Sequence, residues 1–548
     1  MPPNPTDRTP TSASPIGTAL ALPSATKPVT PVATNTPRPT AGELHIAIRE
    51  DIQTLNPYLT HNASEEFVVS LLYDTLLETD VHGDMHPNLA EHWNLTPDGS
   101  RLTFKLNPQA RWHNGQAVTA DDVVFSFVLA QQNEVPGFAR LAALVHRVEA
   151  ISPVEVEFTL FTTWPDAVRL LGTGLRIVPA TLWRNVGDPL HYDNLDNPVG
   201  TGPFLFVEHV PGKQLVLRNT GVHHRSPPIV NTLILEIQRD ESKALKALKD
   251  GELDALAWDI TPAQARDVQD HPEDYKGIHL AEAPDLSVYT LLFNLRTAPF
   301  NNRTFRHALA QALDTEAIID KVFMGFGDVG TPDLFPPGSP WRNAKIAPIA
   351  FDSQEAAAEL SAAGFVDRNG DGLRENPDGS TLQIPITCPK QDTALKVVDL
   401  VVAQWGAVGI AAKAEPIAQD QIRLALMQAQ FSAILHDISL CEPEMAFFYF
   451  HSSCGVLRNG RVFGLNYGGY ANPRYDEMVE AMQQVQDRDQ YRDLLYELQE
   501  MLATDLPQIP LYVPRVLNLY REDRFTGWSA QPGVGLLSRT VLSTLKPQ

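Results

Sequence analysis

The order of apolar and polar residues along the chain predicts alternating strands and helices. LHIAIRE (44–50) alternates as a strand does, and Ser64 to Leu77 carries apolar residues at helical spacing. Residues 231–239 alternate again, a helix follows from Asp240 to Gly251, and LDALAW (253–258) returns as a short strand. This strand–helix–strand unit is typical of a parallel or mixed sheet, so we expect an α/β fold.

Helices are more strongly marked in the second half of the chain. Apolar spacing indicates helices over 305–312, from Asp314 to near Gly325, and over 395–409. Asp487 with Gln490 three residues later forms a capping box ahead of a last long helix. The aromatic and Met residues in these apolar stripes are predicted to belong to the core.

One polar stretch, RWHNGQAVTADDVVFSF (111–127), has the residue types of an active site. Thr119 fits a helix N-cap, and Asp121 and Asp122 then lie in the first turn, where the helix dipole favours negative charge. Carboxylates at adjacent helical positions diverge by about 100° and cannot face one substrate together. The stretch is therefore predicted to be scaffold. Because no nucleophile elbow, zinc helix or phosphate-binding loop occurs in the sequence, an enzyme is disfavoured.

Charge and composition narrow the choice further. The 548 residues include 43 basic and 66 acidic side chains, which gives a net charge of −23. This excess argues against a nucleic-acid partner, since phosphates need clustered Lys and Arg. Three cysteines exclude a disulfide-built fold, and a Cys441–Cys454 bridge stays open. No run approaches the roughly 20 apolar residues that a transmembrane helix needs.

Residues 1–42 differ from the rest of the chain. They are rich in Pro, Thr, Ser and Ala and contain no aromatic residue, so they cannot bury enough apolar surface to fold. We expect a disordered tether, with any export signal outside this chain, because no charged-then-apolar signal peptide precedes it. A disordered N-terminus of a cytoplasmic protein is the alternative.

Family resemblance becomes specific at LAEHWNLTPDGSRLTFKLNPQARWHNGQAVTADDVVFSF. It resembles the opening signature of the family 5 extracellular solute-binding proteins, the peptide, nickel and opine receptors of ATP-driven importers. The matching residues are Leu89, Ala90, Glu91, Trp93, Asp98, Gly99, Asn114, Gly115, Thr119, Ala120, Asp121, Asp122 and Val123. Three further segments match in order, at 197–209, at 293–314, and at NPRYDEMVEAM followed by DLPQIPLY (505–512). The resemblance runs from about Leu44 to Tyr520.

The resemblance implies a two-lobed periplasmic-binding-protein-like fold. This is the type II fold of the large cluster with an extra subdomain, in which helices flank mixed sheets and a ligand cleft between the lobes closes by hinge motion. Projected onto this chain, lobe I takes 43–79, 198–288 and 512–548. The inserted subdomain of lobe I takes 80–197, and lobe II takes 289–511.

The resemblance also implies what the protein does. We expect a receptor of an ABC importer that binds a peptide or other small solute and works with the permease subunits. It would be monomeric and extracytoplasmic, in the periplasm or at the outer face of the cell membrane, with membrane contact only through a lipid anchor. An opine, sugar or metallophore as solute, or a ligand-sensing module of a regulator, are the alternatives.

In peptide-binding relatives an Asp of lobe II pairs with the α-amino group of the peptide. The counterpart here is AILHDISLCEPEMAFFYF (433–450). Alignment on Pro443 puts His436 at a family Trp position and Ser439 at the amine-binding Asp position. Because a Ser hydroxyl cannot supply a charge-assisted bond to an ammonium, a free-amine peptide is in doubt. Asp437 would substitute for Ser439 if the register shifts.

The resemblance implies further ligand contacts where the lobes meet. They come from a lobe I loop, from a strand end, from the crossing between the lobes and from the segment before the C-terminal helices. These candidates are Asn62, Ala63, Ser64, Trp258, Tyr289, Asn294 and Tyr467. Packed or surface positions are the alternative for each of them.

Two segments have metal-ligand residue types, although no other cofactor is expected. DRNGDGLRENPD (367–378) matches EF-hand loop positions 1, 3, 5, 6, 9 and 12, which are Asp367, Asn369, Asp371, Gly372, Glu375 and Asp378. Position 12 is Asp rather than Glu and a strand follows, so a structural Ca²⁺ and a solvated turn both stay open. His223 and His224 are predicted to lie in an exposed loop, since adjacent side chains diverge.

Overall fold

A computed structural model describes residues 42–548, apart from 81–83, 162–165, 226–227, 441 and 486. The described residues belong to one unit, Arg38–Gln548. The predicted tether, 1–42, lies outside the described residues except for Gly42. Cys441 is also outside them, and so is the Cys441–Cys454 bridge that the sequence left open.

Helices occur along the whole described chain and are numbered in chain order. They are α1 (Ala63–Leu72), α2 (Ala120–Gln132), α3 (Ala139–Leu144), α4 (Ala167–Thr173), α5 (Ala180–Trp183), α6 (Glu241–Asp250), α7 (Pro262–Asp270), α8 (Arg303–Gln311), α9 (Thr315–Phe323), α10 (Ser353–Ala362), α11 (Asp392–Ala407), α12 (Gln419–Gln428), α13 (Met445–Phe450), α14 (Pro473–Met482), α15 (Arg488–Asp505) and α16 (Arg539–Thr544). Short 3-10 turns occupy Pro272–Asp274 and Ser452–Gly455.

Strands alternate with these helices. They are β1 (Glu43–Ile48), β2 (Leu77–Thr79), β3 (Met85–Pro87), β4 (Ala90–Leu95), β5 (Arg101–Leu106), β6 (Val145–Ser152), β7 (Glu155–Leu160), β8 (Phe204–Val210), β9 (Gln214–Asn219), β10 (Thr232–Ile237), β11 (Ala255–Leu256), β12 (Ile278–Pro284), β13 (Val288–Phe293), β14 (Gly327–Val329), β15 (Ile384–Pro389), β16 (Ala412–Ile417), β17 (Ala433–Ile438), β18 (Leu457–Arg458), β19 (Arg461–Val462), β20 (Gln508–Arg521), β21 (Phe525–Thr526) and β22 (Lys546–Pro547).

Twelve of these strands form one mixed sheet that runs through the molecule. Its order is β16-β15-β17-β13-β20-β11-β1-β10-β9-β8, and β12 and β14 both pair with β20. The first part of β20 pairs with β13 and β14, and its second part pairs with β12 and β11. One strand thus belongs to both halves of the sheet, and the predicted crossing of the chain back to lobe I lies within it.

The predicted strand–helix–strand unit is confirmed by β10, α6 and β11. Both strands pair in parallel with β1, which lies between them. The Asp240 side chain caps α6 by accepting from the Lys243 N–H, and Gly251 ends the helix with φ +76°. Gly suits that left-handed position because it has no Cβ to clash with the backbone.

A separate four-stranded sheet, β4-β5-β7-β6, lies within the predicted subdomain 80–197 and carries α2 on one face. The N-cap predicted at Thr119 is confirmed, and Asp122 completes a capping box with it. One Asp122 oxygen accepts from the Thr119 N–H at 3.0 Å, and the other accepts from the Ala180 N–H at 2.9 Å. Asp122 is therefore a buried structural carboxylate that joins α2 to α5.

The predicted helix from Ser64 to Leu77 ends early. Helix α1 stops at Leu72, where Tyr73 turns to an extended conformation with φ −124° and ψ 134°. The carbonyls of Thr75 and Leu76 accept hydrogen bonds from residues 89 and 90 instead of continuing the helix. Tertiary pairing outweighs helical propensity here. The lobe boundaries stay a prediction.

Candidate functional site

Three of the predicted contact residues meet in one cavity of the second half. Strands β13 and β17 pair antiparallel, which puts Tyr289 opposite Asp437. Together with His436 they line a cavity of about 280 Å³. Tyr512 of β20 adds a fourth side chain, and its ring stacks on Tyr289 with centroids 4.8 Å apart. The cavity thus combines an exposed carboxylate with a flat aromatic surface.

The charge of this cavity is negative. Burial lowers the pKa of His436, although the negative charge of Asp437 partly opposes this shift. The His436 imidazole is therefore neutral at pH 7. Burial raises the pKa of Tyr289, and the charge of Asp437 raises it further. Asp437 is therefore the charged group among these residues, and a cation or hydrogen-bond donor on a ligand would complement it.

Ser439 and Asn294 make structural hydrogen bonds outside the lining of this cavity. The Ser439 hydroxyl donates to the Leu286 carbonyl at 3.2 Å. The Asn294 side-chain amide donates to the Ala429 carbonyl at 3.2 Å. The Ser439 bond joins predicted lobe II to predicted lobe I, and the Asn294 bond lies within predicted lobe II. The ligand contacts predicted for both residues stay predictions.

Tyr467 and Trp258 lie in packed surroundings. Tyr467 lines a much smaller cavity of about 10 Å³ that also reaches His436. Trp258 is only 9% exposed, and the Arg49 guanidinium lies 5.0 Å from its ring centroid. Its indole nitrogen is buried without a hydrogen-bond partner among the described residues. Their roles as ligand contacts also stay predictions.

The loop before α1 borders a second cavity, in the first half of the chain. This cavity of about 650 Å³ lies between residues 57–61, 135–138 and 173–176. Asn62 caps α1 by accepting from the Glu65 N–H, while Ala63 is exposed and Ser64 is buried.

Two charged residues at this cavity, Arg176 and Glu66, were not predicted from the sequence. The Arg176 guanidinium donates to the Glu66 carboxylate, and the Tyr58 hydroxyl donates to the Arg176 carbonyl at 3.2 Å. Their partners lie more than a hundred residues away along the chain, so no local pattern marks them. Arg176 is a cation at the rim of a large cavity and is suited to a carboxylate on a ligand.

A third charged cluster joins the predicted subdomain to predicted lobe II. Arg169 of α4 has its Nε 2.6 Å from Asp166 Oδ2. Its Nη2 lies 3.0 Å from Glu444 Oε1 and also contacts the Glu442 carboxylate. Burial lowers the pKa of Arg169, but the three carboxylates raise it above its ordinary value, so the guanidinium stays charged. No local sequence pattern marks this cluster, because Arg169 and Glu444 lie 275 positions apart.

The prediction that His223 and His224 lie exposed is wrong. Their side chains are 2% and 1% exposed, and their ring centroids are 4.1 Å apart. The chain bends at Gly221, where φ is +70°, so the rule that adjacent side chains diverge, which holds for regular strands, does not apply. His223 Nε2 lies 3.2 Å from Asp74 Oδ2, and His224 Nε2 lies 3.2 Å from Asn88 Oδ1.

Hydrogen bonds within this cluster satisfy its buried polar side chains. Arg539 donates to the other Asp74 oxygen at 2.5 Å, and the Arg225 N–H donates to His223 Nδ1 at 3.2 Å. The His223 proton therefore sits on Nε2 and faces Asp74. Although the potential ligand atoms of Asp74, His223 and His224 lie within 4.8 Å of one another, these bonds already use them, so we assign the cluster to hydrogen bonding.

Most of the EF-hand-like loop is exposed, with residues 374–376 half-buried, and its carboxylates accept hydrogen bonds from its own backbone. Asp367 accepts from the N–H groups of Gly370 and Gly372, at 2.7 and 2.9 Å. Asp371 accepts from the Leu373 N–H, and Glu375 accepts from the Arg368 N–H, both at 2.8 Å. These bonds suit a solvated turn, and Ca²⁺ binding stays a prediction. Thermal unfolding in CaCl₂ and in EDTA would test it.

Comparison with known proteins gives the class of this chain. Residues 84–455 match the model of the bacterial extracellular solute-binding proteins, family 5. Because that match covers more than half of the chain, the protein belongs to this family, and its mixed α/β architecture is the family's two-lobed fold. No helix among the described residues is long and apolar enough to span a bilayer.

Individual relatives bind different solutes. The chain is 24% identical over 481 residues to the dipeptide-binding protein of Escherichia coli K12, which covers 82% of this chain and 85% of the relative. It is 25% identical over 469 residues to the oligopeptide-binding protein AppA of Bacillus subtilis 168, with 83% of each chain covered. NikA from Brucella suis, solved with Fe(III)-EDTA, has a TM-score of 0.77 at 21% identity and covers 92% of this chain and all of its own.

Proposed function

We propose that the protein is the receptor of an ABC importer, which captures a peptide or peptide-like solute between its lobes and delivers it to the permease. The observation that carries this proposal is the cavity in which Asp437 lies beside the stacked rings of Tyr289 and Tyr512. A carboxylate next to an aromatic surface is suited to an ammonium group and to the adjoining side chain. Membership of the family supports the same reading.

The cavities beside Asp437 and Arg176 offer opposite charges. Asp437 supplies an anion in the cavity of the second half, and Arg176 supplies a cation in the cavity of the first half. A zwitterionic solute such as a short peptide complements both. Binding at Arg176 would require the solute carboxylate to compete with Glu66 for the guanidinium. Because Asp437 supplies a negative charge and Ser439 does not, we propose that Asp437 rather than Ser439 binds the amino end of the solute.

The cellular setting belongs to this proposal as well. We infer an extracytoplasmic, monomeric protein held at the membrane by a lipid anchor through the segment 1–42. A binding protein that carries a net charge of −23 suits this setting, because self-repulsion keeps it soluble and unassociated.

The first experiment is native mass spectrometry of gently purified protein, followed by release and identification of the bound material. A heterogeneous ladder of peptides supports the peptide receptor. One discrete non-peptide mass, such as an opine, a sugar or a metallophore, would replace the peptide by that solute and keep the receptor. Slow turnover of added peptides by an empty protein would exclude a receptor.

A second experiment tests the role of Asp437. For a peptide identified in this way, Asp437→Asn and N-acetylation of the peptide should each raise Kd by about tenfold or more, since each removes one charge-assisted bond. Combined, they should cost little more than either alone, because both act on the same bond. Ser439→Ala is the matched control and should change Kd less. Additive losses would exclude an Asp437–ammonium contact.

A further inference from the structure

Arg169 is the clearest charged contact between two distant parts of this fold. It lies on α4, within the predicted subdomain, and its guanidinium reaches two glutamates that follow β17 in predicted lobe II. The Arg169 side chain is 13% exposed and that of Glu444 is 3% exposed, so this ion pair is largely shielded from water. Shielded pairs are weakened by salt far less than surface pairs are.

The carboxylates around Arg169 divide into two kinds. Asp166 precedes α4 and binds the Arg169 Nε, so it moves with the arginine. Glu442 and Glu444 belong to the other side and would separate from Arg169 if the lobes opened. Asp166 therefore holds the guanidinium in position in either arrangement, while the two glutamates contact Arg169 only when the lobes meet.

The same segments also carry the candidate binding residues. Glu442 and Glu444 lie in the connection that begins after β17, the strand that brings His436 and Asp437 to the cavity. On the other side, α4 leads directly into residues 173–176, which line the cavity of the first half. Contact through Arg169 therefore fixes both candidate cavities relative to one another.

We infer that Arg169 is a latch that holds the lobes together around the solute, with Asp166 as its fixed support and Glu442 and Glu444 as its releasable partners. The link to solute affinity rests on the proposed function. Each closed, liganded molecule must break these contacts before its solute leaves, so the latch acts mainly on the dissociation rate. It also raises affinity by increasing the fraction of molecules in the binding-competent state.

The latch can be tested without a ligand by amide hydrogen exchange. The turn after Glu442 contains three backbone bonds, donated by the N–H groups of Met445, Ala446 and Phe447. In protein freed of bound material by unfolding and refolding, Arg169→Met should speed exchange at these amides, because the turn loses its partner. Unchanged exchange would overturn the latch.

Arg488 provides a matched control. It also joins the two parts of the chain, through Asp84 at 2.7 Å, but both side chains are more than half exposed. Arg488→Met removes the same charge by the same replacement and should leave exchange at residues 445–447 unchanged, since exposed pairs contribute little. Equal effects of the two substitutions would mean that net charge, and not the latch, is responsible.

Solute binding then tests the coupling, with peptides released from the purified protein as the probe. Arg169→Met should raise the dissociation rate by about 30-fold or more, and Arg488→Met by less than about twofold. Glu444→Gln should act in the same direction as Arg169→Met. A loss of affinity in Arg169→Met with unchanged hydrogen exchange and a normal Glu444→Gln would make Arg169 a direct solute contact and overturn the latch. If no peptide binds the wild type, the proposed function fails while the exchange result still decides the latch.

Discussion

Two largely buried arginines of this protein are used in opposite ways. Arg539 of α16 binds Asp74, which His223 also contacts, and all these residues belong to predicted lobe I. Arg169 instead binds carboxylates from two separate parts of the chain. Arg539 faces one buried carboxylate, whereas Arg169 faces three carboxylates, of which Glu444 alone is buried. Only the Asp74 cluster is therefore balanced in charge.

The difference shows how one type of interaction can produce either rigidity or movement. Burial alone would raise the pKa of Asp74, but Arg539 and His223 hold it well below its usual range, which is the sign of a strongly bound carboxylate. Such a cluster can be broken only by unfolding. The Arg169 cluster can be broken by separating two segments, after which water solvates the charges.

The largest effect should come from Asp74→Asn. The substitution leaves the Arg539 charge without its buried partner, so the free energy of unfolding should fall by about 3–5 kcal/mol. Urea denaturation of both proteins measures this difference. Arg539→Met is the complementary variant, and the double variant should lose less than the sum of the two. A loss below about 1 kcal/mol would remove the contrast between the two clusters.

The next effect is a dependence on pH. Burial lowers the pKa of His224 from 6.5 to about 4, and burial lowers the pKa of His113 as well. As the pH falls below 6.5 the unfolded chain binds protons that the folded protein excludes, so the free energy of unfolding decreases. For His224 the decrease approaches about 3 kcal/mol by pH 4.

Urea denaturation at pH 7, 6, 5 and 4 measures this slope. His224→Gln retains an amide donor for Asn88 and should flatten the slope between pH 6.5 and 4, with little change in the hydrogen bond itself. His191→Gln is the control, because His191 is an exposed partner of Asp188. Identical slopes in the wild type and in His224→Gln would contradict the assignment.

The smallest effect on stability should come from Arg169→Met. The three carboxylates that it exposes can be hydrated once the lobes separate, so the free energy of unfolding should fall by only about 1 kcal/mol or less. The same urea titration that measures Asp74→Asn measures this variant. A loss as large as that of Asp74→Asn would show that the latch is part of the permanent fold.

Sequence reasoning succeeded where the signal is local. The helix start at Asp240, the helix end at Gly251 and the N-cap at Thr119 each depend on residues within one helical turn, and all three are confirmed. It failed where partners are remote. Arg169 and Glu444 are 275 positions apart, and no pattern near either residue reveals the other.

The candidate site divides in the same way. The family resemblance predicted Tyr289, His436 and Asp437 as ligand contacts. The pairing of β13 with β17 places all three at one cavity. Tyr512 was missed because its stacking on Tyr289 depends on how β20 pairs with β13. His223 and His224 were misjudged because a loop bend, invisible in the residue types, turns both rings inward.

The position of β20 also has a consequence for the order in which the protein is built. Strands β11 and β13 both pair with β20 (Gln508–Arg521), which is synthesised more than two hundred residues after them. Until that strand emerges, neither half of the large sheet has a complete set of pairings, and two strand edges remain open to wrong partners. Assembly of the sheet is therefore completed from the C-terminal end, when a single strand joins both halves.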